Sequence, residues 1–227
     1  MKRTIFVLSI IGLAIYGGGC SKIDSNDLDT NVPYYQVYSV TYYKAGNTTS
    51  CVAHYLVRNG SGTRVELGNG SSVKMNGASP STSLIDKTIY EWNGPGFFDA
   101  SFMLTKPSGK IIGNVVRRSD IGDINFVSLP DTVSKSAGFS FGWTGSTLGA
   151  DEKIVVRVST LGSAVNDQNI SGTTVTVAPS ALADFPVGKL TVQLIRVKEI
   201  PVHVPDSTAG GTTSIFYNNS KEIELVP

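Results

Sequence analysis

From Tyr34 onward the chain is a succession of short runs in which apolar and polar residues alternate, separated by Gly, Asn, Ser and Pro. A period of two marks strands with one buried face, because successive side chains of a strand point to opposite sides. The stretch "SCVAHYLVRNGSGTRVELGNGSSVKMNG" shows the pattern well: Cys51, Ala53, Tyr55 and Val57 alternate with Val52, His54 and Leu56. "RNGSGT" then predicts a tight connection into a strand from Arg64 to Leu67, and "GNGSS" one into Val73 to Met75. Asn-Gly pairs supply the positive φ angles that such turns need. Further strands are predicted in "KTIYEWNG" and in "FDASFMLTKPSGKIIGNVV", which is broken by a Pro-Ser-Gly turn, with a closing strand over Ile124 to Val127.

The second half repeats the plan. "SAGFSFGWTG" places Phe139, Phe141 and Trp143 on one face of a strand, and "EKIVVRVST", "GTTVTVAP", "GKLTVQLIRVKEI", "TSIFYNN" and "KEIELV" follow at regular spacing. "APSALADFPVG" predicts a brief helical turn inside a loop. No amphipathic pattern is long enough for a full helix, which argues against parallel βαβ units. The pattern therefore predicts an all-β fold of two tandem immunoglobulin-like, or fibronectin III-like, β-sandwiches. The expected division is 33–127 and 128–227, with the boundary at Ser128-Leu129-Pro130, where proline ends one strand.

Ahead of this region the pattern changes. Lys2 and Arg3 precede a twelve-residue apolar run from Ile5 to Tyr16, and Gly17, Gly18 and Gly19 follow it. Those are the three parts of a secretory signal peptide, expected over 1–19. As a helix the apolar run would span about 18 Å, short of a ~30 Å hydrocarbon core. Residues 20–32 are polar, acidic and without periodicity, and predict a linker.

Composition narrows the function classes. The formal charge is +1 with only 16% charged residues, which lacks the basic field that nucleic-acid binding requires. The chain has 24 glycines, a content suited to a turn-rich exported β protein, and 41% apolar residues, enough to bury a core. The two cysteines, Cys20 and Cys51, would first suggest one disulfide in an exported protein.

The sequence around Cys20 points elsewhere. A signal peptide ending in small residues, then Cys and a polar stretch, resembles the lipobox of bacterial lipoproteins, although Gly17 stands where that family usually has Leu. The resemblance implies cleavage between Gly19 and Cys20, a thioether-linked diacylglycerol on the Cys20 sulfur and an acylated amino group. Cys51 would then have no partner. Lys22, Asp24, Asp27 and Asp29 resemble the charged patch behind the cysteine of surface-exported Bacteroidota lipoproteins; a solvated spacer is the other reading. Asp131-Thr132-Val133 and Asp206-Ser207-Thr208 resemble O-glycosylation sequences of the same bacteria, with Thr132 and Ser207 as acceptors. The whole chain thus resembles small lipid-anchored Bacteroidota lipoproteins with Ig-like modules. The location implied is the outer membrane, facing outward.

Candidate chemistry is sparse. His54 and His203 are the only histidines, too few for the three or four convergent ligands of a zinc site. No Gly-x-Ser-x-Gly or phosphate-cradling glycine motif is present. Asp86, Glu91, Asp99, Asp120 and Asp123 could supply a glycosidase carboxylate pair, or could be solvated loop acids. "RSDIGDIN" and "GADEK" place oxygen ligands in loops, as some calcium-binding sandwiches do. The tyrosines Tyr34, Tyr35, Tyr42 and Tyr43 are the main surplus: adjacent strand residues face opposite ways, so the pairs cannot all enter one core. Those left outside could stack on a sugar or dock a partner, or could simply cover the sandwich end. Trp92 and Trp143 resemble the core tryptophan of Ig-like modules.

The reading is a non-catalytic, lipid-anchored adhesion, ligand-binding or structural module with no cofactor. A glycan-binding accessory subunit of a polysaccharide-uptake system and a cell-envelope hydrolase are the alternatives. Its partners would be the membrane, through the N-terminal lipid, and a glycan or another surface protein.

Overall fold

The computed structural model describes residues 22–227 apart from 69, 83–85, 161–164 and 171, with the backbone alone for 82 and 165–170. The expected signal peptide (1–19), Gly19 and Cys20 lie outside the described residues. The chain is all-β. In order, its strands are β1 (Lys22–Asp24), β2 (Tyr34–Tyr43), β3 (Thr48–Val57), β4 (Arg64–Glu66), β5 (Ser72–Met75), β6 (Ser81–Thr82), β7 (Tyr90–Pro95), β8 (Ala100–Thr105) and β9 (Ile111–Val116). They continue with β10 (Ile124–Val127), β11 (Thr132–Ser134), β12 (Phe139–Gly145), β13 (Glu152–Ser159), β14 (Val165–Ile170), β15 (Thr174–Val177), β16 (Gly188–Pro201) and β17 (Gly211–Val226). The helical turn expected in "APSALADFPVG" is a 3₁₀ turn, Pro179–Leu182, which buries Leu182 and the following Phe185.

Among the described residues these strands form one large sheet of eleven strands, with the main path β1-β4-β3-β2-β17-β16-β13-β14, β7 also on β3, β6 on β7 and β11 on β17, and two small ones, β5-β8-β9 and β10-β12-β15. The small sheets pack against the large one as sandwiches, over one contiguous core that runs through both halves of the chain. Period-two patterning produces this directly. Tyr34, Gln36, Tyr38 and Val40 of β2 alternate inward with half-buried outward neighbours, and on β3 Cys51, Ala53 and Tyr55 do the same. Tyr38 stacks on Phe102 of the first small sheet at 4.5 Å between ring centroids.

Two features depart from the pattern-based division. Ile124–Val127 is not the last strand of the first half: it pairs antiparallel with Phe139–Gly145 in the second small sheet. Periodicity locates a strand without naming its partner, and Pro130 lies in the loop between β10 and β11. The second feature is the seam. Residues Gly211 to Asn218 of β17 pair in parallel with Gln36 to Tyr43 of β2, so the two halves share one sheet. The hairpin of β16 and β17 is the spine: Leu190, Val192, Leu194, Ile223 and Leu225 fill the core of the second half, while Ile215 and Tyr217 line the seam. Its tip, residues 202–210, reaches the start of β2.

Candidate functional site

The stretch expected as a linker is built into the fold from Lys22 onward. Lys22, Ile23 and Asp24 pair in parallel with Arg64, Val65 and Glu66. Lys22 Nζ donates to Glu66 at 2.6 Å. The Asp24 carboxylate accepts the Asn26 N–H at 2.8 Å and starts a 3₁₀ turn, and the fully buried Ser25 accepts from the Gly68 N–H at 2.8 Å. A side chain at Gly68 would meet the Asp24 carboxylate at 2.3 Å and would push aside the side chain that starts the turn. Asp29 caps its own turn through the Asn31 N–H. Of the four charged residues Lys22, Asp24, Asp27 and Asp29, two thus cap local turns, Lys22 pairs with Glu66 across the β1–β4 ladder, and Asp27 is exposed in the first 3₁₀ turn. Composition could not reveal this, because a three-residue parallel strand leaves no periodic trace.

The tyrosine pairs divide as alternation requires. Tyr34 and Tyr42 point to the inner face of the large sheet, and Tyr35 and Tyr43 to the outer face. Tyr34 is buried, with the Lys106 ammonium 4.4 Å from its ring centre, and desolvation pushes its hydroxyl up to about 12. Tyr42 stacks on Phe97 at 4.8 Å, meets Tyr217 edge-on at 5.1 Å, and donates its hydroxyl to Asn47. That aromatic trio closes the seam between β2 and β17. Tyr35 lies against Gly60, and Tyr43 stands in the ladder beside Asn218.

The outer face around Tyr43 is mixed in character. Phe216 and Val197 form one row, and Asn218 and Ile195 the next. Ile195 and Val197 are buried yet lie outside the main core, and buried Asn218 has neither amide oxygen nor nitrogen hydrogen-bonded. Farther along, His54 sits near Arg64 and Asp86. Burial, reinforced by the Arg64 charge, lowers its imidazole to about 4, so it is neutral at physiological pH.

Two buried ion clusters dominate the inner face. At the hairpin tip, the Asp206 carboxylate accepts from Lys106 Nζ at 2.7 Å, from the Tyr34 N–H at 2.8 Å and from Lys110 Nζ at 2.8 Å. Lys106 also donates to the Val32 carbonyl at 2.7 Å. Burial opposes the ionised form of Asp206, but these hydrogen bonds outweigh it and hold the carboxyl below the usual range. Beside it, Gln36, Asn114 and the backbone of Val204 share hydrogen bonds, with Tyr38 donating to Gln36. The second cluster centres on Arg196. Its guanidinium donates to Glu152, the Ser146 carbonyl and hydroxyl, and the Thr147 and Asp123 carbonyls, tying the loop before β10 to the loop after β12.

The first cluster bears on Ser207: the Asp of Asp206-Ser207-Thr208 is buried, whereas Ser207 is exposed with φ 58°. Thr132 is exposed on β11, following Asp131, which pairs with Lys221 at 2.7 Å.

The remaining candidate chemistry is dispersed. Asp86 accepts from Arg64 and Thr88, Asp99 from the Arg118 N–H, Asp120 from the Arg117 N–H, and Asp123 from Asn125 and the Ser146 N–H. Cys51 is fully buried, and desolvation pushes its thiol up to about 12, which suppresses the reactive thiolate. Among the described residues no group of three or more His, Cys, Asp or Glu is placed to hold a metal ion, and no helix is long and apolar enough to cross a membrane. Trp92 is buried and donates to the Ala78 carbonyl, and Trp143 packs half-buried at the core margin, donating to Gly172.

No protein-family model matches the sequence, and no curated protein matches it significantly. Among solved structures, the chain is similar to the fibronectin(III)-like modules of Clostridium thermocellum CbhA, at 11% identity over 80% of this chain and 94% of that one, with a TM-score of 0.24. It is also similar to a calcium-stabilised adhesin that helps an Antarctic bacterium reach out and bind ice, at 14% identity over 84% of this chain, with a TM-score of 0.22. The match spans about half of that adhesin chain (49%).

Proposed function

We propose that the protein is a lipid-anchored outer-membrane lipoprotein facing the cell exterior, where its sandwiches act as a non-catalytic adhesion, ligand-binding or structural module. The Gly17-Gly18-Gly19-Cys20 sequence behind a short apolar run carries the anchoring part of this reading. Two or more acyl chains give firm attachment at about 0.8 kcal/mol per buried CH₂. The display role is supported by how the charged groups are used. The most deeply buried of them, Lys106, Asp206, Arg196 and Glu152, hold loops and strands together. Protease shaving of intact cells, compared with membrane fractionation, tests the location. Digestion in whole cells is expected, and protection there with digestion after lysis would replace the outward orientation with a periplasm-facing one.

Glycan binding is the second reading, favoured by the placement of Tyr35 and Tyr43 on the outer face of the large sheet. Screening the protein against a glycan array, with Tyr35→Ala and Tyr43→Ala in parallel, tests it. Binding that both substitutions weaken is expected, and silence across the array removes the carbohydrate reading.

A further inference from the structure

The anchor position and the docked N-terminus together fix how the protein would stand. This step rests on lipidation of Cys20. Ser21 alone separates Cys20 from Lys22, the first residue of β1. Two Cα-to-Cα steps reach at most about 7.6 Å. β1 is no loose tether, since it is hydrogen-bonded to β4, sealed by Ser25 under Gly68 and pinned by the Lys22–Glu66 pair. It ends one branch of the large sheet beyond β3, the other branch there being β7 and β6, and the far edge is β14. Seven inter-strand spacings of about 4.8 Å separate the two edges by roughly 33 Å measured along the sheet.

We infer that the protein stands edge-first on the bilayer, with the corner formed by Lys22, Arg64, Glu66 and Lys87 at the headgroups and the β13–β14 edge held away from it. The corner is accessible there: Lys22 and Lys87 both approach Glu66, and their side chains are 55% and 69% exposed. With Asp24 and Asp86 beside them its charges are balanced, so the short reach from Cys20, and not attraction to headgroups, sets the position. Because the parallel β2–β17 ladder and the inner-face core join the halves into one sheet, an anchor at β1 sets the attitude of the whole molecule rather than of one module on a string. The surface offered to the environment is then the second half, including β13 and β14.

The test uses the full chain, purified from membranes with its native N-terminus and reconstituted into vesicles carrying a headgroup-labelled acceptor lipid. Lys87→Cys and Lys153→Cys supply exposed sites for a donor fluorophore, while buried Cys51 does not compete for label. The donor at 87 is expected to lose several-fold more intensity to the acceptor than the donor at 153. A long Gly/Ser insertion between Ser21 and Lys22 should abolish that difference. Equal loss at the two sites in the native-length protein, or a difference that survives the insertion, would overturn the edge-first attitude. The intact mass of the purified protein keeps the premise separate: if Cys20 carries no acyl chains, lipid anchoring itself is wrong. If Cys20 is acylated while the donors respond equally, only the attitude is wrong.

Discussion

The two buried ion clusters sit on the same hairpin, yet they are built in opposite senses. At the tip a carboxylate, Asp206, collects donors from the first half of the chain, more than ninety residues away in sequence. On β16 a guanidinium, Arg196, collects acceptors from loops within the second half. The difference decides what happens when an acid is lost. Without Asp206, the Lys106 ammonium stays at 3% exposure with, among the described residues, the Val32 carbonyl and the Tyr34 ring, and the Tyr34 N–H loses its acceptor. Without Glu152, Arg196 still has the Ser146, Thr147 and Asp123 oxygens. An ion held by many neutral dipoles tolerates losing its counterion better than one held mainly by a single charge.

Breaking the first cluster is therefore expected to have the largest effect. Asp206→Ala should lower unfolding stability by about 3–5 kcal/mol, the cost of leaving a buried charge unpaired. Urea denaturation measures it. The double variant Asp206→Ala with Lys106→Met should recover much of that loss, since removing both charges removes the penalty. If the double variant is no more stable than the single one, the cluster acts through packing rather than charge.

Acid separates the clusters from the outer face. A His held neutral by burial makes the folded state resist protonation, so the unfolded chain binds more protons below its own pKa of about 6.5. With His54 lowered to about 4, stability should fall as pH drops from about 6.5 to 4, by as much as roughly 3 kcal/mol. Asp206 and Glu152 act in the same direction but lower: held below their usual range, they lose their contribution as pH falls from the ordinary carboxylate range through the depressed values. Thermal melts over pH 7 to 3 should show His54→Gln flattening only the upper part of the curve. An unchanged upper part would mean that another group titrates there.

The second cluster should yield less. Glu152→Ala is expected to cost about 1.5–3 kcal/mol, the range for a hydrogen bond to a charged group. Hydrogen exchange should quicken around 122–125 and 146–149 while β2 and β3 keep their protection. Loss of protection in β2 and β3 would show that the second cluster also holds the halves together.

Much of this arrangement is legible in the sequence and its key joints are not. Strands such as Tyr34–Tyr43 and Thr48–Val57 follow from alternation, as does the division of Tyr34/Tyr35 and Tyr42/Tyr43 between the two faces. The parallel pairing of Tyr217 with Tyr42 is not legible, because pairing depends on surfaces far apart in sequence. Ile124–Val127 changed halves for the same reason. In the sequence Asp206 stands only as part of a three-residue modification sequence, since nothing local shows that its partners are Lys106, Lys110 and the start of β2. Arg196, in the middle of "LIRVKEI", reads as an ordinary strand polar residue, yet it is buried to 2% exposure.

The smallest expected effect separates the two lysines on Asp206. Lys106 is buried, whereas the Lys110 side chain is 51% exposed, so water screens its pair with Asp206 and its side chain gives up rotamer freedom to make it. Lys110→Ala should therefore cost no more than about 1 kcal/mol, the usual limit for an exposed pair. Raising the salt concentration should weaken the wild type by a similar amount and leave Lys110→Ala nearly unaffected. Lys106→Ala, measured beside it, should cost several times more. Equal costs would mean that Asp206 is held by its total charge environment, and the hairpin tip would then be a diffuse electrostatic contact rather than a joint closed by one buried ammonium.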